Sequence, residues 1–180
     1  MTNYDYAFEK TLGHEGGFNE VKGDSGGATN FGVSLRFLED AYRTKNWVDL
    51  NHDGKIDRTD IKLLEKDDVK KIYLEDFWLK NKCDKIDNKY IAAKLFDISV
   101  NMGNLQAAKI LQRAINQFKI FNLTVDGKIG PATLMAVNKI VPEQLLNAIR
   151  KECETFYTSL VNKRPEYKKF LKGWLNRART

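Results

Sequence analysis

The sequence predicts a mainly α protein with one small β-hairpin. Apolar residues recur at three- and four-residue spacing along most of the 180 residues, only 3 prolines interrupt them, and one glycine-rich stretch, Gly16 to Gly32, breaks the helical rhythm. The length suits one domain, or one domain with a small second lobe. With 42% hydrophobic and 11% aromatic residues, the chain can offset its ordering entropy by burial.

Each element follows from its spacing. Tyr4, Phe8 and Leu12 share one face of a first helix, which the pattern carries on to Glu15. Leu35, Leu38, Ala41 and Tyr42 mark a second, and Val69, Ile72, Tyr73 and Phe77 a third. Ile91, Leu95, Phe96, Ser99 and Met102 form the next face. Leu105, Ala108, Leu111, Ile115 and Phe118 follow, with Asn104 placed as an N-cap between the two. Pro131 and Pro142 stand where first helical turns begin, the second opening a long face through Leu145, Ile149, Cys153, Tyr157 and Leu160. Tyr167, Phe170, Leu171 and Trp174 read as a final helix, and all these aromatic rows read as core. The turn Lys22 to Gly27 separates two short segments able to pair as a hairpin.

Composition narrows the function classes. A net charge of +6 favours an anionic partner such as nucleic acid, a membrane surface or an acidic wall polymer. No basic stripe interleaved with aromatics appears, which argues against nucleic acid. No apolar run approaches a membrane span, and the start lacks the basic and apolar regions of a secretory signal, so synthesis in the cytoplasm is expected. Cys83 and Cys153 have neither a metal-ligand spacing nor a disulfide framework, and read as two separate thiols rather than one bridge.

Glu15 stands on the Tyr4, Phe8, Leu12 face just before Gly16 and Gly17, a helix stop. There, burial and the negative end of the helix dipole would both disfavour its ionised form, as a general acid requires. Asp24, in the polar glycine-rich turn, would stay ionised. Two carboxyls pushed apart in this way are the arrangement glycoside hydrolysis uses, with Thr29 placed to hold a hydroxyl near the attacking water. On spacing alone, a solvated helix-end Glu15 and an ordinary turn-forming Asp24 fit equally well. His14 reads first as a helix-end residue.

The twelve residues Asp49 to Asp60 follow the spacing of a calcium loop. Asp49, Asn51, Asp53, Asp57 and Asp60 occupy its first, third, fifth, ninth and twelfth positions, with Lys55 contributing its carbonyl, Gly54 at the sharp turn and Ile56 at the apolar eighth. Asp60 at the end, followed by Ile61-Lys-Leu-Leu64, resembles the dockerin version of the loop. A structural calcium ion is therefore expected, since four aspartates would otherwise repel one another, and none is expected for the chemistry.

His14-Glu-Gly-Gly-Phe18, followed by Asp24-Ser-Gly-Gly-Ala-Thr-Asn-Phe-Gly-Val33, resembles the opening motif of the glycoside hydrolase family 108 lysozyme-like proteins, some of which are described as secretion activators. Its Glu, Asp, Thr order is also similar to phage-type lysozymes. The family resemblance implies that Glu15 is the catalytic acid, and the phage-lysozyme likeness implies roles for Asp24 and Thr29. Phe96 to Gly103, Ala108 to Gln112 and Val125 to Leu134 are similar to the family's peptidoglycan-binding segment. Asp97, Asn101 and Asn104 are the polar residues there expected to line a groove, although each would serve equally as a helix cap.

The expectation is a lysozyme-like two-lobed helical fold with its hairpin near the active site. Residues 1–88 would be a catalytic segment carrying the calcium-loop insertion at 46–66, and residues 89–180 the second lobe. It would be a monomeric hydrolase of bacterial peptidoglycan, an N-acetylmuramidase-type enzyme reaching the wall after holin-type release. The alternatives are a non-catalytic wall-binding or secretion-assisting protein on the same fold, and a calcium-dependent adaptor.

Overall fold

The computed structural model describes residues 1–13 and 28–180. The chain divides into two compact units, Phe8–Asp76 and Met1–Ala7 with Phe77–Thr180. As the spacing predicts, both are mainly helical, and among the described residues the strands form one antiparallel pair.

In the unit Phe8–Asp76, α1 (Asn3–Leu12) ends and is followed by β1 (Thr29–Asn30), β2 (Val33–Ser34), α2 (Leu35–Tyr42), α3 (Arg58–Leu63) and α4 (Lys66–Tyr73). Ser34 Oγ accepts the Phe37 amide at 3.2 Å, which caps α2 just where the hairpin ends. Phe8, Val33, Leu38, Val48, Ile61, Val69 and Ile72 are buried together with Tyr73, whose ring meets that of Phe8 edge-on at 6.0 Å. Asp76 and Glu75 both pair with Lys45, at 2.5 and 3.4 Å.

The other unit holds α5 (Lys89–Met102), α6 (Asn104–Asn116), α7 (Pro131–Lys139), α8 (Pro142–Lys163) and α9 (Leu171–Arg179). The fully buried Phe96 of α5 meets Tyr4 and Trp78 at 5.7 and 5.8 Å, and those two rings lie 5.4 Å apart. Helix α8 buries Leu145, Ile149, Cys153 and Tyr157, and packs on α5, α6 and α9. Both α7 and α8 start on their proline, whose missing N–H costs nothing in a first turn.

Several boundaries depart from the periodicity. Helix α1 ends at Leu12 with Gly13 in a turn, and the stop expected at Gly16 and Gly17 lies outside the described residues. Phe77 lies on a π-helical turn, Leu74–Leu79, after α4. Asn104 is the first residue of α6 rather than its cap; that position belongs to Gly103, at φ 86°. Helix α6 stops at Asn116, before Phe118. Pro165 starts a 3-10 turn to Phe170, so the final aromatic row is split between that turn and α9, and Phe170 is 46% exposed rather than core. The turn Lys22 to Gly27 lies outside the described residues; the described hairpin turns instead on Phe31 and Gly32.

Cys83 and Cys153 are free, as their spacing implied, and both are buried. Burial pushes the Cys83 thiol far up and that of Cys153 up to about 12, so both are inert neutral thiols. Among the described residues no helix is long and apolar enough to cross a membrane.

Candidate functional site

His14, Glu15 and Asp24 lie outside the described residues. Thr29 stands in β1, opposite Ser34, and is half-buried. The turn beyond it uses Phe31 at φ 49° and Gly32 at φ 79°, the two positive values that match a tight hairpin to the twist of its strands. The Leu35 amide donates to the Ala28 carbonyl at 3.0 Å and prolongs the pairing past Thr29.

Two long-range bonds hold this hairpin. Buried Asn30 donates through Nδ2 to the Ile61 and Leu64 carbonyls, at 3.0 and 3.3 Å. These belong to the C-terminal end of α3, where carbonyls have no partner within the helix. The Tyr73 hydroxyl donates to the Phe31 carbonyl at 3.0 Å. Thr29 is therefore carried on a strand fixed at its next two residues. Sequence reading missed Asn30 and Tyr73 as positioning residues, since their partners are 31 and 42 residues away.

In the other unit, Asp97 and Asn101 lie four residues apart on α5 and so share a face. Asp97 Oδ1 accepts from Arg177 Nε at 3.1 Å and pairs in charge with its Nη2 at 2.9 Å, while Lys94 Nζ lies 3.9 Å from Oδ2 and donates to the Arg177 carbonyl at 2.7 Å. These side chains are 10%, 11% and 4% exposed, so the carboxylate is shared between two buried cations. Asn101 is exposed; its Oδ1 accepts the Tyr157 hydroxyl at 2.6 Å, whose ionisation burial pushes far up. Asn104 Oδ1 accepts from Asn81 Nδ2 at 2.6 Å. The three residues are thus each engaged by a different neighbour. Arg177, Tyr157 and Asn81 carry no local signal of these roles, because the pairings span 80, 56 and 23 residues.

The loop Asp49 to Asp60 turns at Gly54, φ 80°, as its sixth position requires. Asp49 accepts the Asp53 and Gly54 amides at 3.2 and 2.9 Å, and Asp60 accepts those of Leu50 and Asp57 at 2.8 and 2.9 Å. Asn51 and Asp53 are joined at 3.1 Å, and Asp53 Oδ1 accepts the Lys55 amide at 2.9 Å. Asp57 caps α3, reciprocally with Asp60, and the Thr59 amide bonded to it holds its carboxyl below the usual range. His52, at φ 58°, is exposed. The oxygens of the expected calcium ligands are thus turned to loop amides. No group of three or more His, Cys, Asp or Glu side chains among the described residues is gathered to hold a metal ion.

Among solved structures the chain is similar to SagA of Brucella abortus, at 25% identity over 97% of this chain and 88% of that one, with a TM-score of 0.76. That likeness extends the mainly α reading to a lysozyme-like fold. No curated protein matches the chain. Residues 106–179 match the domain described as Predicted Peptidoglycan domain, and residues 8–103 match Glycosyl hydrolase 108. Together these two matches support a peptidoglycan-related, glycosidase-like function. Because the second of them spans more than half of the chain and encloses both the glycine-rich motif and the Thr29 hairpin, the chain belongs to the glycosyl hydrolase 108 family.

Proposed function

We propose that the protein is an N-acetylmuramidase-type peptidoglycan hydrolase that cleaves the glycan backbone with Glu15 as general acid. The observation that carries this reading is the position of Glu15, Asp24 and Thr29, in the order acid, carboxylate, hydroxyl, inside the segment matched by the glycosyl hydrolase family. Glu15 protonates the leaving oxygen, and ionised Asp24 draws the proton from an attacking water. Thr29, on its doubly anchored hairpin, shares that water. Asn101, exposed on α5 with its oxygen taken by Tyr157, offers its amide nitrogen to a sugar hydroxyl, while Asp97 and Asn104 shape the groove through their partners.

Mass spectrometry of fragments released from purified peptidoglycan tests the reading, because the new reducing end identifies the broken bond. Muramic acid at that end is expected; glucosamine there, or no fragment at all, would overturn it. The use of a water by Asp24 and Thr29 also implies inversion, with the two carboxyls ~6.5–9.5 Å apart. Proton NMR of the first-formed anomer is expected to show a configuration opposite to that of the substrate. A retained configuration would make Asp24 a nucleophile instead.

The loop Asp49 to Asp60 would hold calcium through Asp49, Asn51, Asp53, Asp57, Asp60 and the Lys55 carbonyl. What supports this is the twelve-residue spacing together with the Gly54 turn. A carboxylate oxygen that accepts one amide keeps a further lone pair for a cation, and exposed Asp53 and Asp57 have room to close on buried Asp49 and Asp60. The ion would tie the loop to the start of α3 and take no part in the chemistry. Calcium at ~100 times its dissociation constant should add about 2.7 kcal/mol of stability, visible as a higher thermal midpoint that EDTA reverses. Asp53→Ala should abolish the response; a melting curve indifferent to calcium and chelator would reduce the loop to an acidic turn.

A further inference from the structure

The positive charge of the chain is gathered at one end. Residues 163–180 carry seven Lys and Arg against a single acid, Glu166, an excess equal to the net +6 of the whole chain. The other 162 residues hold 23 basic and 23 acidic side chains and are neutral as a set. This end is a folded surface: the 3-10 turn Pro165–Phe170 and α9 both pack on α8. Leu171, Trp174, Leu175 and Ala178 recur at helical spacing on the covered side of α9, with Ala178 buried. Arg177 is tied inward to Asp97 and, through its carbonyl, to Lys94. Six exposed cations remain outside, Lys163, Arg164, Lys168, Lys169, Lys172 and Arg179. Arg179 pairs with Glu154 at 2.6 Å, whereas Lys163, Lys168, Lys169 and Lys172 have no carboxylate partner among the described residues. Cations this close in the chain repel one another, and an anionic surface relieves that repulsion.

Among these cations stands Phe170, exposed between Lys169 and Lys172. Its ring meets those of Tyr167 and Trp174 at 6.5 and 5.7 Å, and Trp174 stacks on Tyr157 at 5.3 Å. Lys169 Nζ lies over the Phe170 ring at 4.9 Å, and the Arg164 guanidinium over that of Tyr167 at 5.8 Å. The rings are thus turned to one another and to cations, which is poor for stacking a nucleobase or a sugar. The cluster instead offers one exposed apolar ring among long amphipathic stems. That arrangement suits the boundary between water and lipid, where the ring enters the acyl region and the ammonium groups reach back to the phosphates. A soluble polyanion would match the charge and leave Phe170 in water.

We infer that the surface formed by the turn Pro165–Phe170 and the outer side of α9 docks on an anionic lipid bilayer, with Phe170 below the headgroups and Lys168, Lys169 and Lys172 on their phosphates. Charge complementarity supplies most of the attraction, since each cation near such a surface strengthens binding roughly fivefold. The surface acts in this way whether or not the chain cleaves glycan.

The test is co-sedimentation of the full-length protein with vesicles of phosphatidylcholine alone, or of phosphatidylcholine and phosphatidylglycerol in equal parts. Binding to the anionic vesicles that high salt reverses, and none to the neutral ones, is expected. Lys168→Gln combined with Lys172→Gln should weaken that binding roughly 25-fold. Lys128→Gln combined with Lys139→Gln, two equally exposed charges outside the surface, should change it by less than about twofold. Phe170→Ala should weaken it by roughly three- to tenfold, the share of a half-covered aromatic ring that the bilayer would bury. Melting curves check the fold of each variant, and if Phe170→Ala is disturbed the two lysine pairs still decide. No binding to anionic vesicles, equal binding to neutral ones, or equal losses from the two lysine pairs would each overturn the surface. Vesicle binding untouched by Phe170→Ala, with a soluble polyphosphate or a single-stranded oligonucleotide bound more tightly, would put a polyanion in place of the bilayer and overturn it as well.

Discussion

Glu15→Gln is expected to lower the rate of wall lysis by at least ~10²-fold while leaving the melting curve unchanged. The amide nearly matches the carboxyl in size and can still donate a hydrogen bond, yet it cannot transfer a proton to a leaving oxygen. The placement that motivates the test is the Glu-Gly-Gly motif shortly after the end of α1, inside the family-matched segment. Turbidity loss of purified walls measures the rate, and circular dichroism on the same samples checks the fold. Retention of more than about a tenth of the activity would remove Glu15 from the acid role.

Asp97→Ala is expected to destabilise the protein by about 3–5 kcal/mol, because it strips two buried cations of the carboxylate they share. For a chain of this size that is a fall of roughly 10 °C in thermal midpoint. The loss should appear with no wall fragment present, which separates a packing role from a purely ligand-binding one. Replacing Asp97, Lys94 and Arg177 together by apolar residues of similar volume should recover much of the stability, since a removed triad leaves no buried charge behind. A single Asp97→Ala variant that melts within about 2 °C of the wild type would mean that the triad contributes little, and that Asp97 is free to serve the groove alone.

How far the sequence could be read depended on the range of the forces involved. The starts of α7 and α8 were legible because proline acts on its own φ and its own missing N–H. The apolar faces of α5, α6 and α8 were legible because burial repeats with the helical period. The turn at 126–128 was present in Val125-Asp126-Gly127-Lys128, but its place beside α6 is set by Gln112, whose partners lie 14 and 15 residues away. The Asn104 cap failed for a similar reason: a side chain that would have capped α6 is taken by Asn81.

By itself, then, the sequence determined the helical class, the glycine-rich break, the two separate thiols, and the motifs that mark a wall-directed glycosyl hydrolase. These depend on a residue and its neighbours within a turn or two, where propensity, periodicity and covalent geometry act. Only the tertiary structure decided that Asp97 sits between Lys94 and Arg177, that Asn30 and Tyr73 stiffen the Thr29 hairpin, and that Gln112 holds the 126–128 turn against α6. A buried polar group must find a partner wherever packing brings one, and nothing in its local sequence says which of the distant donors or acceptors that will be.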